Sequence, residues 1–159
     1  MIIAVFPGSF DPITNGHVDL VERALPLFDK MYVSVGVNST KQSLFALDKR
    51  LRWLHAVLGH HDKVVIETFE GLTANYALQR DARYLIRGLR NASDFDYEKT
   101  ISQLNQIIGK NLETLFFISR PEFSHISSSI VREIIKGNGD VSPFIPALIA
   151  KEIFESYQK

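Results

Sequence analysis

Phe6-Pro7-Gly8-Ser9-Phe10-Asp11-Pro12-Ile13-Thr14-Asn15-Gly16-His17 is the stretch on which the reading of this chain turns. The apolar run Ile2–Phe6 at its start has the length and composition of a buried strand. Beyond it, Val18, Val21, Leu25 and Phe28 fall on one face of a helix. The chain therefore leaves a strand, turns through glycine and proline, and enters a helix with a histidine in its first turn. The unpaired N–H groups and partial positive charge at such a helix start suit phosphate. Gly8 and Gly16 allow the backbone to approach a ligand closely. The stretch reads as a phosphate-handling loop.

Outward from that turn, strand and helix patterns alternate. Short apolar runs at Met31–Val37, Val64–Thr68, Tyr84–Ile86 and Thr114–Ile118 predict four further strands. Helical spacing joins Leu47, Leu51, Leu54 and Leu58, and a shorter helix is expected over Leu72–Arg80. Tyr97, Ile101, Leu104 and Ile108 repeat the spacing behind a Ser93 cap, with Tyr97 expected to pack inward and Gly109 where a helix stops. Ser128–Lys136 ends the same way at Gly137. Pro26 ends or kinks the first helix. Pro146 opens a last helix through Tyr157, with Ile149, Ile153 and Phe154 facing inward. No repeat, low-complexity tract or linker interrupts this order. Residues 1–159 thus read as one α/β domain, a doubly wound five-stranded parallel sheet with helices on both faces.

Composition narrows the function classes. The chain is 45% hydrophobic and 23% charged, ordinary for a soluble globular protein. Eighteen basic side chains balance 18 acidic ones, so bulk attraction to nucleic acid or to a membrane surface is not expected. With no cysteine, disulfides, thiolate nucleophiles and thiolate-held metals are excluded. No basic region precedes the first apolar run, and no apolar stretch is long enough to span a bilayer. The expectation is a cytoplasmic protein.

In a parallel sheet of this kind ligands bind beyond the carboxyl ends of the strands. The unusual polar residues fall there, strand after strand. Ser9 and His17 follow the first strand, Lys41 the second and Thr73 the third; Arg87 and Arg90 follow the fourth, and Ser119 to Ser129 the fifth. Each also has a plainer reading. Ser9 could be only a turn residue, and Lys41 a solvated loop charge. Ile126-Ser127-Ser128-Ser129 is an ordinary cap signal before it is a phosphate cluster. His17 after a glycine at a strand-to-helix turn favours a phosphate donor. Arg87 and Arg90 flank Gly88 in an apolar stretch, where the planar guanidinium suits phosphate better than a bland surface pair would. A P-loop, a dinucleotide glycine fingerprint and a hydrolase nucleophile elbow are all missing.

Thr14-Asn15-Gly16-His17 resembles the Thr/His-x-Gly-His signature of the nucleotidylyltransferase superfamily, and Ile126-Ser127-Ser128-Ser129 with Arg132 resembles its second, ATP-binding signature. Pro7–His17 together with Leu85-Ile86-Arg87-Gly88-Leu89-Arg90 resembles one family specifically, the bacterial phosphopantetheine adenylyltransferases, from the first strand to the last helix. The resemblance implies a dinucleotide-binding, Rossmann-like fold. It also implies transfer of the adenylyl group of ATP to 4′-phosphopantetheine, giving dephospho-coenzyme A and pyrophosphate, with Mg²⁺ carried by the ATP phosphates. Carried over by position, His17 stabilises the transition state, supported by Lys41 and Arg90, while Ser9, Lys41, Thr73 and Arg87 hold the acceptor. Ser9, Phe10, His17, Gly88, Leu89, Arg90, Glu98 and the segment Phe123-Ser124-His125-Ile126-Ser127-Ser128-Ser129 hold ATP. Ser9 stands where the family usually has threonine, keeping the hydroxyl. A homohexamer, and coenzyme A as a feedback ligand, are further implications.

The chemistry fits these residue types. Joining two phosphates brings two polyanions together, so the site must supply cations and fixed donors. Lys41, Arg87, Arg90, His17 and a helix start make such a set, and an acceptor phosphate already ionised at neutral pH needs no protein nucleophile. Two other readings share parts of the pattern. A nicotinamide-nucleotide or cytidylyl transferase would share the histidine signature. A non-enzymatic flavodoxin-like module would share the sheet but predicts a carboxylate cluster after the first strand, where only Asp11 stands.

Overall fold

The computed structural model describes residues 1–38 and 40–157; Ser39 and the last two residues of the expected domain lie outside the described residues. Five strands form one sheet: β1 (Ile3–Gly8), β2 (Lys30–Val37), β3 (Val64–Glu70), β4 (Tyr84–Leu89) and β5 (Glu113–Ile118). Their order across the sheet is β3-β2-β1-β4-β5, with every neighbouring pair parallel. The helices are α1 (Asn15–Ala24), α2 (Leu47–Leu58), α3 (Thr73–Gln79), α4 (Ala92–Ile108), α5 (Ser128–Lys136) and α6 (Ala147–Tyr157). This is the expected doubly wound α/β, Rossmann-like architecture.

Strand periodicity explains the two layers. Along β1, Ala4 and Phe6 face one side, where α1, α2, α5 and α6 bury Val21, Trp53, Leu54, Val131 and Ile149. Ile3 and Val5 face the other side, against Ala74, Tyr76 and Ala77 of α3. Because both faces are covered, the central strands read as continuous apolar runs rather than alternating ones. Ser34, fully buried in β2, is tolerated because its hydroxyl bonds the Tyr76 hydroxyl at 2.6 Å. The connection through β1, β2 and β3 runs to one edge, and β4 and β5 then build the other. The chain thus reverses direction between β1 and β4, and the carboxyl ends of those two strands frame a crevice.

Local details differ from the sequence expectation in four places. β4 continues to Leu89 because its pairing with β5 persists through Gly88 and Leu89. Asn91, not Ser93, caps α4, accepting from the Asp94 N–H at 2.9 Å, so the helix starts sooner. Tyr97 faces outward and is 67% exposed, because the inward position one residue on is taken by Glu98, which is buried against Arg87. Phe154 is likewise exposed while Ile149 and Ile153 pack inward. Pro26 does end α1, in a single 3₁₀ turn over Leu25–Leu27.

Candidate active site

Ser9 and Phe10 leave β1 into a loop that is held from inside. Phe10 takes a left-handed backbone, φ 45°, which turns its ring inward against Phe6, with ring centroids 5.4 Å apart, and His17, 5.1 Å away. A side chain on Gly8 would place its Cβ 2.9 Å from the Phe10 ring, so glycine there leaves room for the ring to pack inward. Thr14 then caps α1 reciprocally with His17. The Thr14 hydroxyl accepts from the His17 N–H at 3.3 Å, and the Thr14 N–H donates to His17 Nδ1 at 2.9 Å.

That second bond defines the chemistry of the ring. With Nδ1 accepting, the neutral imidazole carries its proton on Nε2. Burial, reinforced by the charges of Arg87 and Arg90, lowers the His17 pKa from 6.5 to about 4. At neutral pH His17 is therefore an uncharged Nε2–H donor, with no free lone pair to attack anything. This is a fixed dipole, suited to stabilising charge on an oxygen.

His17 lines a cavity of about 290 Å³ between the ends of β1 and β4. The start of α5 forms its far wall. There Ser127 accepts from the Ile130 N–H at 3.1 Å as the helix cap, and the Ser128 hydroxyl donates to the Pro12 carbonyl at 2.8 Å. Two arginines from β4 and its exit stand in this cavity, each held by a carboxylate of α4. Arg87 forks onto Glu98, with Nε donating at 2.9 Å, and donates through Nη1 to the Pro7 carbonyl at 3.1 Å. Arg90 Nε donates to Asp94 at 3.1 Å. Partial burial works against ionisation of Asp94, but the Arg90 bonds outweigh it and hold that carboxyl below its ordinary range.

A second cavity, of about 420 Å³, adjoins the first and shares Pro7, Gly8, Ser9 and Arg87 with it. Its other walls carry Lys41, Arg50 and Thr73 from the loops and helix starts after β2 and β3. Lys41 is exposed and has no acidic partner among the described residues. A third, smaller cleft of about 140 Å³ continues behind Arg87 and Glu98, lined by Tyr97, Ile101, Asn105 and Thr114. The Thr114 hydroxyl there is buried without a hydrogen-bond partner. No group of three or more metal-ligating side chains occurs among the described residues.

Most residues singled out from sequence meet on these walls. Ser9, Phe10, His17, Gly88, Arg90, Glu98, Phe123, Ile126, Ser127 and Ser128 line the first lobe. Ser9, Lys41, Thr73 and Arg87 line the second. Four do not line either lobe. Leu89 spends its carbonyl on the Ser119 N–H, and Ser124 donates back to the Pro121 carbonyl. His125 is exposed beside the Phe144 ring, and Ser129 accepts from Arg132. Sequence reasoning missed Asp94 and Arg50. Asp94 had a signal, four residues after Arg90. Arg50 had none, since it reads as a helix-surface charge until the fold buries it.

Comparison with known proteins agrees with this geometry. Residues 5–134 match the family model described as cytidylyltransferase-like. A phosphopantetheine adenylyltransferase of Cytophaga hutchinsonii is 49% identical over 91% of this chain and 96% of its own length. Those of Geobacter metallireducens and Desulforamulus reducens are 42% and 43% identical, each over 99% of this chain and 96% and 98% of their own lengths. The chain belongs to the cytidylyltransferase-like family and, within it, to the phosphopantetheine adenylyltransferases.

Proposed function

We propose that this chain, acting as one nucleotidylyltransferase domain over residues 1–159, transfers the adenylyl group of ATP to 4′-phosphopantetheine, a step of coenzyme A synthesis. The observation that carries the reading is the pair of cavities joined at Ser9 and Arg87, with the His17 donor on the nucleotide side of the junction. The first lobe takes ATP, its phosphates facing Arg90 and the start of α5, while Arg87 at the junction holds the acceptor. The second takes the acceptor phosphate at Lys41. The neutral, amide-containing arm of the acceptor suits the cleft past Thr73 and Asn105, whose two charges, Arg87 and Glu98, are paired with each other and where the Thr114 hydroxyl lacks a partner. An acceptor phosphate oxygen attacks the α-phosphorus, the bond to the β-phosphate breaks, and pyrophosphate leaves.

His17 acts throughout as a donor. Its Nε2–H meets charge that builds on the α-phosphate oxygens, and with Nδ1 occupied by Thr14 it forms no bond to phosphorus. Asp94 and Glu98 are committed to arginines, so Mg²⁺ enters as part of the MgATP substrate rather than in a protein cage. Dephospho-coenzyme A is the product, and coenzyme A, which contains the same two parts, competes as a feedback ligand. No helix among the described residues is long and apolar enough to cross a membrane, in keeping with a cytoplasmic location. The outward apolar side of α4, with Leu104 and Ile107 exposed, offers a surface for a homohexamer. Light scattering giving a monomer at micromolar concentration would remove that assembly.

Purified protein with MgATP and 4′-phosphopantetheine should release pyrophosphate. Nicotinamide mononucleotide as acceptor, and CTP in place of ATP, should not support turnover. Faster release with either would reassign the substrate. A flavodoxin-like module would give none with any pair.

A further inference from the structure

The loop that carries Lys41 is tied to the loop that carries Ser9 by a buried carboxylate lying outside both lobes and the adjoining cleft. Asp11 is only 4% exposed. Its Oδ2 accepts from the Leu44 N–H at 2.8 Å and its Oδ1 from the Phe45 N–H at 2.9 Å. The same short segment is bracketed by two arginines. Arg50 donates through Nη1 to the Ser9 carbonyl at 2.7 Å and through Nε to the Phe45 carbonyl at 3.0 Å. Arg132 donates to the Asp11 carbonyl at 2.8 Å. A buried carboxylate that accepts two backbone N–H bonds is a costly arrangement unless every oxygen is satisfied, and here both are.

We propose that Asp11 is a positioning residue for adenylyl transfer, an inference that rests on the reading of the two lobes given above. By holding the Leu44 and Phe45 amides, it sets where Lys41, three residues before Leu44, stands relative to Ser9. The distance between the acceptor phosphate and the α-phosphate then depends on a group that touches neither. Phe10 and His17 belong to the other anchorage, through the Phe10 ring and the Thr14 cap, so the nucleotide lobe does not rely on Asp11 in the same way.

The test uses Asp11→Ala and the milder Asp11→Asn, whose amide oxygen can still accept one of the two bonds. Calorimetry measures the Kd of 4′-phosphopantetheine and of ATP, and hydrogen exchange follows the Leu44 and Phe45 amides. Asp11→Ala should speed exchange at both amides and weaken phosphopantetheine binding about 10-fold, with Asp11→Asn between it and the wild type. ATP affinity should stay within about two-fold. A merely structural role would weaken both ligands together. Lys41→Ala should cost much less in the Asp11→Ala background than in the wild type, since a displaced lysine has less contact to lose. Equal losses for both ligands, or additive Lys41 and Asp11 effects, overturn the proposal. If Asp11→Ala is too unstable to purify, the same comparisons in Asp11→Asn decide. Wild-type protein that binds no phosphopantetheine would instead overturn the substrate reading, while unchanged exchange at Leu44 and Phe45 would still refute the tie.

Discussion

The two lobes of the site share Arg87 and differ in how their remaining charges are held. In the nucleotide lobe both arginines already hold carboxylates of one helix, Arg87 with Glu98 and Arg90 with Asp94, and the half-buried histidine is neutral. The acceptor lobe shares Arg87 and adds Arg50, which holds the Ser9 and Phe45 carbonyls, but its Lys41 stands exposed on a loop with no acidic partner among the described residues. The first lobe is preorganised, its donors fixed before a ligand arrives, which is the condition for stabilising a transition state at little reorganisation cost. The second supplies, at Lys41, a compact and strongly hydrated charge, suited to capturing a phosphate. On the proposed function, rate rests chiefly on the first lobe and acceptor affinity on the second.

The largest effect that would break this division is at His17. His17→Ala should lower kcat by roughly 10²–10³ while both substrates still bind, because the remaining contacts are untouched. Steady-state kinetics with calorimetric Kd values check it. Alongside, α-labelled ATP without acceptor should leave the protein unlabelled, and a chiral α-phosphorothioate should invert. Retention at phosphorus, or an adenylyl-histidine, would mean two displacements.

Next come the cations. Lys41→Ala should raise the phosphopantetheine KM, and Arg90→Ala chiefly the ATP KM, each by about 1.5–3 kcal/mol in binding terms. A Lys41 variant altered only toward ATP would reverse the assignment of the lobes. Salt sharpens the same contrast. Between roughly 0.05 and 0.5 M salt the phosphopantetheine KM should climb more steeply than the ATP Kd, because the contact of an exposed charge is screened more than that of a partly buried one. Equal slopes would show that the lobes share one electrostatic character.

The smallest effect concerns stability. The folded protein keeps His17 near pKa 4 while the unfolded chain protonates it near 6.5. As pH falls through that window the unfolded state takes up the proton first, so stability is full above 6.5 and declines toward 4. The decline is at most about 1.4 kcal/mol per pH unit. Melting temperatures from about pH 8 to about pH 5, above most carboxylate titration, should fall in the wild type and fall less in His17→Gln. Parallel curves would place a charged, better solvated ring in the folded state.

Much of this was legible in the chain itself. The strand–turn–helix stretch from Phe6 to His17 specified β1, the turn and α1, because apolar runs, glycine and a capping threonine act locally. The alternation of short apolar runs with helical spacing specified a parallel sheet, and the rule that ligands gather at strand ends then drew Ser9, Lys41, Thr73 and Arg87 to one rim. Periodicity reports only that an apolar face exists. What covers it is a tertiary matter, which is why Tyr97 was expected inside and stands outside. Charge state and partnership were equally out of reach. Nothing in the composition says that Arg87 meets Glu98, that Arg50 holds the Ser9 carbonyl, or that Asp11 holds Leu44 and Phe45 thirty-three and thirty-four residues away. Local sequence determines which groups are present and which backbone each prefers. Desolvation, Coulomb interaction and hydrogen bonding depend on distance in space, so the neutral His17, the paired arginines and the exposed lysine were decided only when the fold brought those strand ends together.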